Sequence, residues 1–287
     1  MTQFMFWNYR FFLLTAFFLL ALPLKIEAKV LFEGYYKIKS QGKHVGFTVH
    51  RYEFKPKKKQ FHSTYYIRTN PQAGDIKESL KAVADHKFHP ISYQYTSQVK
   101  NKVKTIDAQF KGQKMTAMVS NGKTKNKVTR KIPKNSFLST FLGYLMLQQG
   151  YKKGKNFSYK AIAEEDAKAY KGQALIKSEV KHRGQKAYRI LNTFKNQKFV
   201  SLVSPKGEIF KTHSPVQQIS TEIVSSPSQA TKGLKVNSKA LKILFGSVPS
   251  GQKHSLAQGT HNTSVVQSGS ANKGSNNSPK STEKDSQ

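Results

Sequence analysis

Short segments in which apolar and polar residues alternate fill most of this chain, and they limit the folds that it can adopt. In segment 30–40, for example, Phe32, Tyr36 and Ile38 share one side, while Tyr35 and Lys37 fall on the other. Alternation with a period of two is typical of β-strands that bury one face. The pattern predicts strands at 30–40, 45–54, 61–69, 76–85, 91–97, 99–110, 115–120, 123–132, 157–162, 173–182, 187–194, 199–204, 208–213 and 216–224.

Turn-forming residues separate these segments and indicate that consecutive strands form hairpins. Asn121 and Gly122 favour a type I′ turn, because both residues tolerate the positive φ that this turn requires. Pro205 occupies the second position of a β-turn over 204–207. The chain is therefore predicted to be mainly β, with an antiparallel sheet.

One apolar run, residues 136–150, interrupts the strands and contains no charged residue. Ser136 can cap the start of a helix and Gly150 can close its end, so the run predicts a helix over 136–149. Large apolar side chains cover one arc of this helix: Phe137, Leu138, Phe141, Leu142, Tyr144 and Leu145. Small residues gather on the other side, where they allow close backbone approach or line a cavity: Ser139, Thr140 and Gly143. The run is too short to span a bilayer, so we expect a buried core helix.

The two ends of the chain differ from this central part. Residues 1–28 are typical of a secretory signal peptide, with Arg10 before an apolar stretch at 11–24 and cleavage expected after Ala28; an uncleaved anchor is the alternative. The β domain covers 29–224, and the extension at 225–245 keeps enough apolar residues to dock a short helix. Residues 246–287 are too polar to bury the apolar area that ordering requires, which predicts a disordered tail.

The chain carries a formal net charge of +34 and has no cysteine. The absence of cysteine excludes disulfides, a cysteine-linked lipid anchor and cysteine-ligated zinc. The charge attracts anionic lipids or glycans, and lysine clusters are the candidate anion-binding residues: Lys57, Lys58, Lys59, Lys123, Lys125 and Lys127. A surface that serves only solubility is the alternative.

The order of these elements resembles a family of bacterial periplasmic proteins of unknown function. The resemblance rests on Lys-Ile-Pro at 131–133, the basic turn at 150–155, Phe-Ser-Tyr at 157–159 and His-Ser-Pro at 213–215. That family's fold is similar to the lipoprotein-localisation carriers. The resemblance implies a curved antiparallel sheet, or half-barrel, of about ten or more strands wrapped around one buried helix. It also implies a concave apolar surface for a lipid-like ligand.

We find no catalytic motif in the sequence. Nucleophile, dinucleotide and phosphate-loop patterns are absent. Glu164, Glu165 and Asp166 could serve acid–base chemistry, but without a partner motif a solvated turn is the simpler interpretation. His86 and His89 have a spacing that could share a metal, yet no ligand pattern accompanies them. We therefore predict a non-enzymatic protein with no cofactor and no metal.

The favoured function is that of an exported periplasmic or secreted protein that binds an apolar or amphipathic envelope ligand between sheet and helix. The candidate ligand-binding residues lie on the apolar arc of the helix: Phe137, Phe141, Leu142 and Leu145. The alternative is a cationic structural or adaptor protein that binds anionic envelope polymers through its lysine-rich surface. We expect no nucleic-acid partner.

Overall fold

The computed structural model describes residues 28–258, and the strands in this range form one sheet. The strands are β1 (Lys29–Ser40), β2 (Lys43–Lys55), β3 (Gln60–Thr69), β4 (Ile76–Asp85), β5 (Pro90–Val99), β6 (Lys102–Lys111), β7 (Lys114–Ser120), β8 (Lys125–Lys131), β9 (Phe137–Leu138), β10 (Asn156–Ala163), β11 (Lys168–His182), β12 (Gln185–Phe194), β13 (Gln197–Val203), β14 (Ile209–Ser214) and β15 (Ile219–Val224). The α-helices are α1 (Leu142–Gln149), α2 (Pro227–Thr231), α3 (Ser238–Phe245) and α4 (Ser255–Gln258).

The order of strands in the sheet is β8-β7-β6-β5-β4-β3-β2-β1-β15-β14-β13-β12-β11-β10-β9. Neighbours are antiparallel except β9 and β10, which are parallel. β8 and β9 follow one another in the chain yet form opposite edges, so linker 132–136 crosses from one edge to the other. β9 also contacts β4, which shows that the sheet curls back over itself. The predicted mainly β fold with a curved antiparallel sheet is confirmed.

Two-residue turns with positive φ at both positions connect several hairpins, as the twist of adjacent strands favours. They occur at 41–42, 183–184 and 195–196. The type I′ turn predicted at Asn121 and Gly122 is wrong, because only Gly122 has a positive φ and the loop covers 121–124. The turn's position follows from the sequence, whereas its length is set by the pairing of Ser120 with Lys125.

The helix predicted over 136–149 is wrong in its first half. Residues 137 and 138 form β9 against β10, Ser139–Phe141 is a 3-10 turn, and α1 contains only Leu142–Gln149. The Ser136 hydroxyl does not cap a helix but donates to the Pro133 carbonyl at 2.7 Å. A short apolar run suits a buried strand as well as a helix, and periodicity alone does not separate them.

The small residues of this run have both of the roles expected for them, which are to line a cavity and to permit close backbone approach. Ser139 and Thr140 line a cavity. A Cβ atom on Gly143 would lie 2.9 Å from the Gly207 carbonyl oxygen, so the glycine permits α1 to approach the β13–β14 turn. Within α1 only Met146 is buried, and Gly150, at φ 81°, ends the helix.

The main apolar core lies on the inner face of the sheet, and it includes Phe32, Tyr36, Tyr52, Phe137 and Phe141. A second apolar cluster covers the outer face of β1–β3. Val49 and Arg51 alternate along β2 with His50 and Tyr52, which face α1, so this cluster lies on the opposite side of the sheet. It joins strand residues to the buried residues of α2 and α3: Tyr35, Phe47, Val49, Tyr66, Ala230, Leu241 and Phe245. The extension at 225–245 thus contains two helices, each of which buries at least one side chain against the sheet.

The disordered tail predicted from residue 246 is wrong for residues 246–258, which we call the C-terminal strap. Glu33 and Lys253 exchange two backbone hydrogen bonds, at 2.8 and 3.1 Å. His254 and Leu256 are buried. The strap is ordered because β15 pairs only with residues 35–40, which leaves the start of β1 free to bind it.

A buried ion pair fixes the strap and α3 to the sheet. Arg51 donates through Nε to Glu33 Oε2 at 2.6 Å and through Nη1 to the Phe245 carbonyl at 2.7 Å. The other oxygen of Glu33 accepts from Ser250 Oγ at 3.0 Å and from the Gly251 N–H at 2.8 Å. One carboxylate therefore holds two parts of the chain that lie far apart in sequence.

No helix within residues 28–258 combines the length and apolar character needed to cross a bilayer. The signal peptide predicted at 1–28 lies, apart from Ala28, outside the described residues, as does the part of the predicted tail from residue 259 onward.

Candidate functional site

A cavity of about 360 Å³ lies between α1 and the inner face of the sheet. Its apolar lining comes from α1 and from β12–β14: Leu142, Met146, Ile190, Phe199, Val203 and Ile209. Its polar lining comes mainly from β2, β3, the 3-10 turn and the loop after β10: His50, Tyr52, Tyr65, Ser139, Thr140, Glu164 and Glu165. Asn192, Ser201 and Thr212 add polar groups among the apolar strands. The cavity therefore has one mainly apolar side and one mainly polar side.

Glu164 lies at the polar side and is 3% exposed. Its Oε2 accepts a hydrogen bond from Ser139 Oγ at 2.6 Å, and its Oε1 accepts one from the Thr140 N–H at 3.2 Å. Burial raises the pKa of Glu164 to about 7, although these two hydrogen bonds oppose the shift. A carboxyl with this pKa exchanges its proton near neutral pH and can accept hydrogen bonds from a ligand.

Hydroxyl groups connect Thr140 to the sheet. Ser63 Oγ lies 2.7 Å from Thr140 Oγ1 and 2.8 Å from His50 Nε2. The Tyr52 hydroxyl donates to the Thr140 carbonyl at 2.5 Å. Burial lowers the pKa of His50 to about 3, so its imidazole is neutral at ordinary pH. This network positions the 3-10 turn rather than supplying charge to the cavity.

A further buried carboxyl lies beyond Tyr65. The Tyr65 hydroxyl donates to Glu78 Oε1 at 2.6 Å. Burial raises the pKa of Glu78 above its ordinary value, although hydrogen bonds from Tyr65 and Tyr95 act in the opposite direction. The interior next to the cavity is thus rich in acidic and phenolic groups, and no Lys or Arg among the described residues lines the cavity.

The three consecutive acids that follow β10 do not behave as one solvated turn. Glu164 is buried, whereas Glu165 pairs with Lys195 at 2.6 Å and Asp166 pairs with the same lysine. The solvated turn expected from the sequence is therefore wrong for Glu164. The sequence carries no signal of this burial, because Ser139 and Thr140, which bond to Glu164, come from another segment of the chain.

Only one of the four apolar residues predicted to bind a ligand lines this cavity. Leu142 does so, whereas Phe137 and Phe141 are 4% and 0% exposed within the main core. The Phe141 ring contacts Tyr52 and Phe88 at centroid distances of 6.2 and 5.8 Å. Leu145 packs half-buried against the same core.

The six lysines predicted to bind anions are exposed and form two separate groups. Lys57, Lys58 and Lys59 lie in the β2–β3 turn, while Lys123 lies in the β7–β8 loop, with Lys125 and Lys127 on β8. Successive hairpin turns alternate between the two ends of the sheet, so the two turns lie at opposite ends. The structure does not bring them together.

The outer face carries a larger but more open groove of about 560 Å³. Three lysines, Lys134, Lys160 and Lys171, line it together with uncharged polar residues. Within residues 28–258 none of these lysines forms an ion pair. No carboxyl group among the described residues lines the groove, whereas the buried Glu164 lines the cavity beneath α1, so that cavity is the candidate functional site. Among the described residues, no three His, Asp or Glu side chains converge as metal ligands.

Comparisons with known proteins give a family and similar solved structures, and their descriptions state no activity. A family model described as a protein of unknown function, DUF3108, matches residues 32–219. The crystal structure of a β-barrel-like protein of the domain of unknown function DUF1849 from Brucella abortus is similar in fold, with a TM-score of 0.50 and 8% identity over 68% of this chain and 96% of that chain. A DUF1089 family protein from Pseudomonas aeruginosa has a TM-score of 0.36 and 12% identity over 59% and 90% of the two chains, a likeness too weak to carry an argument. No curated protein matches the chain.

Proposed function

Since this chain belongs to the DUF3108 family of proteins of unknown function, we propose a function from the geometry of its own cavity. We propose that it is a non-enzymatic binding protein that holds a small amphipathic molecule between α1 and the sheet. The observation that carries this proposal is the cavity of about 360 Å³ with an apolar side and a polar side. Ligand sites in proteins have volumes from about 300 Å³ upward and combine apolar walls with a few polar groups.

The polar groups support binding better than catalysis. Ser63 and His50 have the spacing of a nucleophile and its base, but Ser63 is 0% exposed and does not line the cavity. The low pKa of His50, about 3, makes it a weak proton acceptor at neutral pH. The Ser139 hydroxyl already donates its hydrogen bond to Glu164. These features favour ligand binding over catalysis.

The proposal includes export and an envelope ligand that is a lipid or resembles a lipoprotein's acyl group. Its support is the signal-like sequence at 1–28 and the resemblance of the order of elements to periplasmic proteins with a carrier-like half-barrel. The curved sheet with an interior cavity fits such a ligand.

A cavity-filling variant tests the proposal. Ser201 lines the cavity from β13, whereas Ser220 of β15 lies beside His213 on the outer face. We expect wild type to bind the uncharged probe N-phenyl-1-naphthylamine with a rise in fluorescence. Ser201→Trp should weaken that binding about tenfold or more, because the indole occupies the ligand space. Ser220→Trp should bind like wild type. Absence of binding by wild type, or equal binding by Ser201→Trp, would refute the proposal.

A second candidate function rests on the outer groove. Lys134, Lys160 and Lys171, which form no ion pair with any described residue, present three cations around one depression, which suits an anionic glycan or lipid phosphate. Binding to such a surface should disappear as salt rises, whereas binding in the cavity should persist. Changing all three lysines to Gln and measuring retention on a heparin column tests it, and unchanged retention would remove this candidate.

A further inference from the structure

Glu164 is a buried carboxyl group without a cationic partner among the described residues. Its hydrogen-bond donors are Ser139 Oγ, the Thr140 N–H and its own backbone N–H, and all three are uncharged. The neighbouring acids Glu165 and Asp166 both pair with Lys195. In a chain with a formal net charge of +34, the acid that is buried against the cavity lacks the counter-charge that its half-buried neighbours have.

The polar side of the cavity contains free hydrogen-bond acceptors but few free hydrogen-bond donors. The hydroxyl groups of Ser139, Tyr52 and Tyr65 donate to Glu164, to the Thr140 carbonyl and to Glu78. A carboxylate has lone pairs for about four hydrogen bonds, and the bonds from Ser139 and Thr140 use only some of them. A ligand that satisfies this side of the cavity must therefore bring a donor of its own.

We propose that the polar end of the ligand is a protonated amine that binds Glu164, so that the protein takes cationic amphiphiles. This inference rests on the proposed function, because the apolar part of the same molecule occupies the cavity beneath α1. An ammonium group supplies three donors and the charge that Glu164 lacks. A carboxylate or phosphate would instead place a second negative charge beside Glu164, and no Lys or Arg among the described lining residues would compensate it.

The protonation of Glu164 gives a measurable signature. With a pKa of about 7, its carboxyl is mostly ionised at pH 8 and mostly protonated at pH 6. The titratable groups around it are Glu165 in the same loop, His50 and Tyr52 on β2, Tyr65 on β3 and Tyr93 on β5. Burial keeps the histidine neutral and raises the pKa of the three tyrosines, so these four do not titrate in this range. Glu165 is paired with Lys195. Glu78 has a raised pKa but bonds to Tyr65 and does not line the cavity.

Three probes that share the same apolar tail separate the effect of the head group from the affinity of the cavity for the tail. Octylamine, octanol and octanoate share an octyl chain and differ only in the head group, and their affinities are measured by calorimetry at pH 8. We expect octylamine to bind about tenfold or more tighter than octanol, which is the usual strength of a hydrogen bond to a charged group. Octanoate should bind weakest. The octylamine affinity should fall about tenfold between pH 8 and pH 6, while that of octanol stays constant.

Glu164→Gln removes the charge and nearly keeps the shape. This variant should lose the preference for octylamine and retain octanol binding. The control Glu179→Gln removes the same charge from an exposed pair with Lys186 and should bind like wild type. Should Glu164→Gln fail to fold, the pH dependence of wild type remains decisive.

The possible outcomes distinguish the two proposals. Equal affinities for octylamine and octanol, strongest binding of octanoate, or an unchanged amine preference in Glu164→Gln would overturn the head-group inference and leave the cavity function standing. Failure of all three probes to bind would overturn both.

Discussion

Replacing Glu33 by alanine tests how the C-terminal strap is held to the sheet. Glu33 is 5% exposed and Arg51 is 8% exposed, so the variant leaves a guanidinium buried without its counter-charge. Removing one partner of a buried ion pair costs about 3–5 kcal/mol, because the remaining charge cannot return to water. The variant also loses the hydrogen bonds from Ser250 and Gly251. We expect Glu33→Ala to lower the free energy of unfolding by about 3–5 kcal/mol.

Urea denaturation gives this free energy, and limited proteolysis shows where stability is lost. The strap should become the first site of cleavage in Glu33→Ala, since local opening precedes cutting. Glu222→Ala is a suitable control, because its pair with Arg183 is partly exposed and contributes about 0–1 kcal/mol. Equal losses for Glu33→Ala and Glu222→Ala would show that the buried pair does not fix the strap.

The double variant and acid pH extend this test. Glu33→Ala combined with Arg51→Ala should cost less than the sum of the two single changes, since no charge is left unpaired. Burial of Glu33 raises the pKa of its carboxyl, but the Gly251 N–H and Arg51 outweigh burial, and the net pKa lies below 4.5. Because the folded-state pKa is lowered, this stabilisation is present above pH 4.5 and is lost as pH falls through the lowered value. The Ala variant should lack that step in a pH series of denaturation midpoints.

Three further outcomes follow from the core, the cavity and the surface. Phe141→Ala should lower the free energy of unfolding by about 3–5 kcal/mol, because the ring is fully buried; denaturation that shows a loss below about 1 kcal/mol would contradict its place in the core. The raised pKa of Glu164 means that the folded state binds an extra proton between pH 4.5 and about 7, so the free energy of unfolding should fall by at most about 3 kcal/mol as pH rises through that window. A pH series in which Glu164→Gln shows the same fall would exclude this origin. The third change replaces six exposed lysines by Gln: Lys57, Lys58, Lys59, Lys123, Lys125 and Lys127. It should weaken binding to anionic vesicles in a sedimentation assay while the melting temperature stays nearly constant. Unchanged binding would indicate that these lysines serve only solubility.

The sequence predicts the strands well, because period-two alternation and turn residues both act locally. It does not identify which face of a strand meets which partner. On β2, Phe47, Val49 and Arg51 share a face that pairs with α3 and the strap, while the cavity receives His50 and Tyr52. A helix docking on the outer face buries Tyr35 at 2% exposure although its position alternates with the inner apolar residues. That packing depends on residues more than 190 positions away, which local patterns do not record.

The candidate site was predictable only in part for the same reason. The apolar run identified the segment that covers one side of the cavity, and its small residues Ser139 and Thr140 do line the cavity. The large residues of the arc, Phe137 and Phe141, instead fill the core, because Phe137 lies in β9, which pairs with β10, and Phe141 ends the 3-10 turn that follows. Glu164 acquires its burial and its shifted pKa only when β10 meets that segment.

The pairing of β1 with β15 sets the order in which the sheet can be completed. Every other strand pairs with a neighbour in sequence, so hairpins can form while the chain is being synthesised. Joining Ser40 to Ile219 closes the longest loop in the sheet and carries its largest entropic cost. Until the ribosome has released Val224, one edge of β1 has no partner strand, and an open edge pairs readily with other chains. During synthesis the chain therefore has an open edge at β1, and a chain truncated before β15 keeps that edge open permanently.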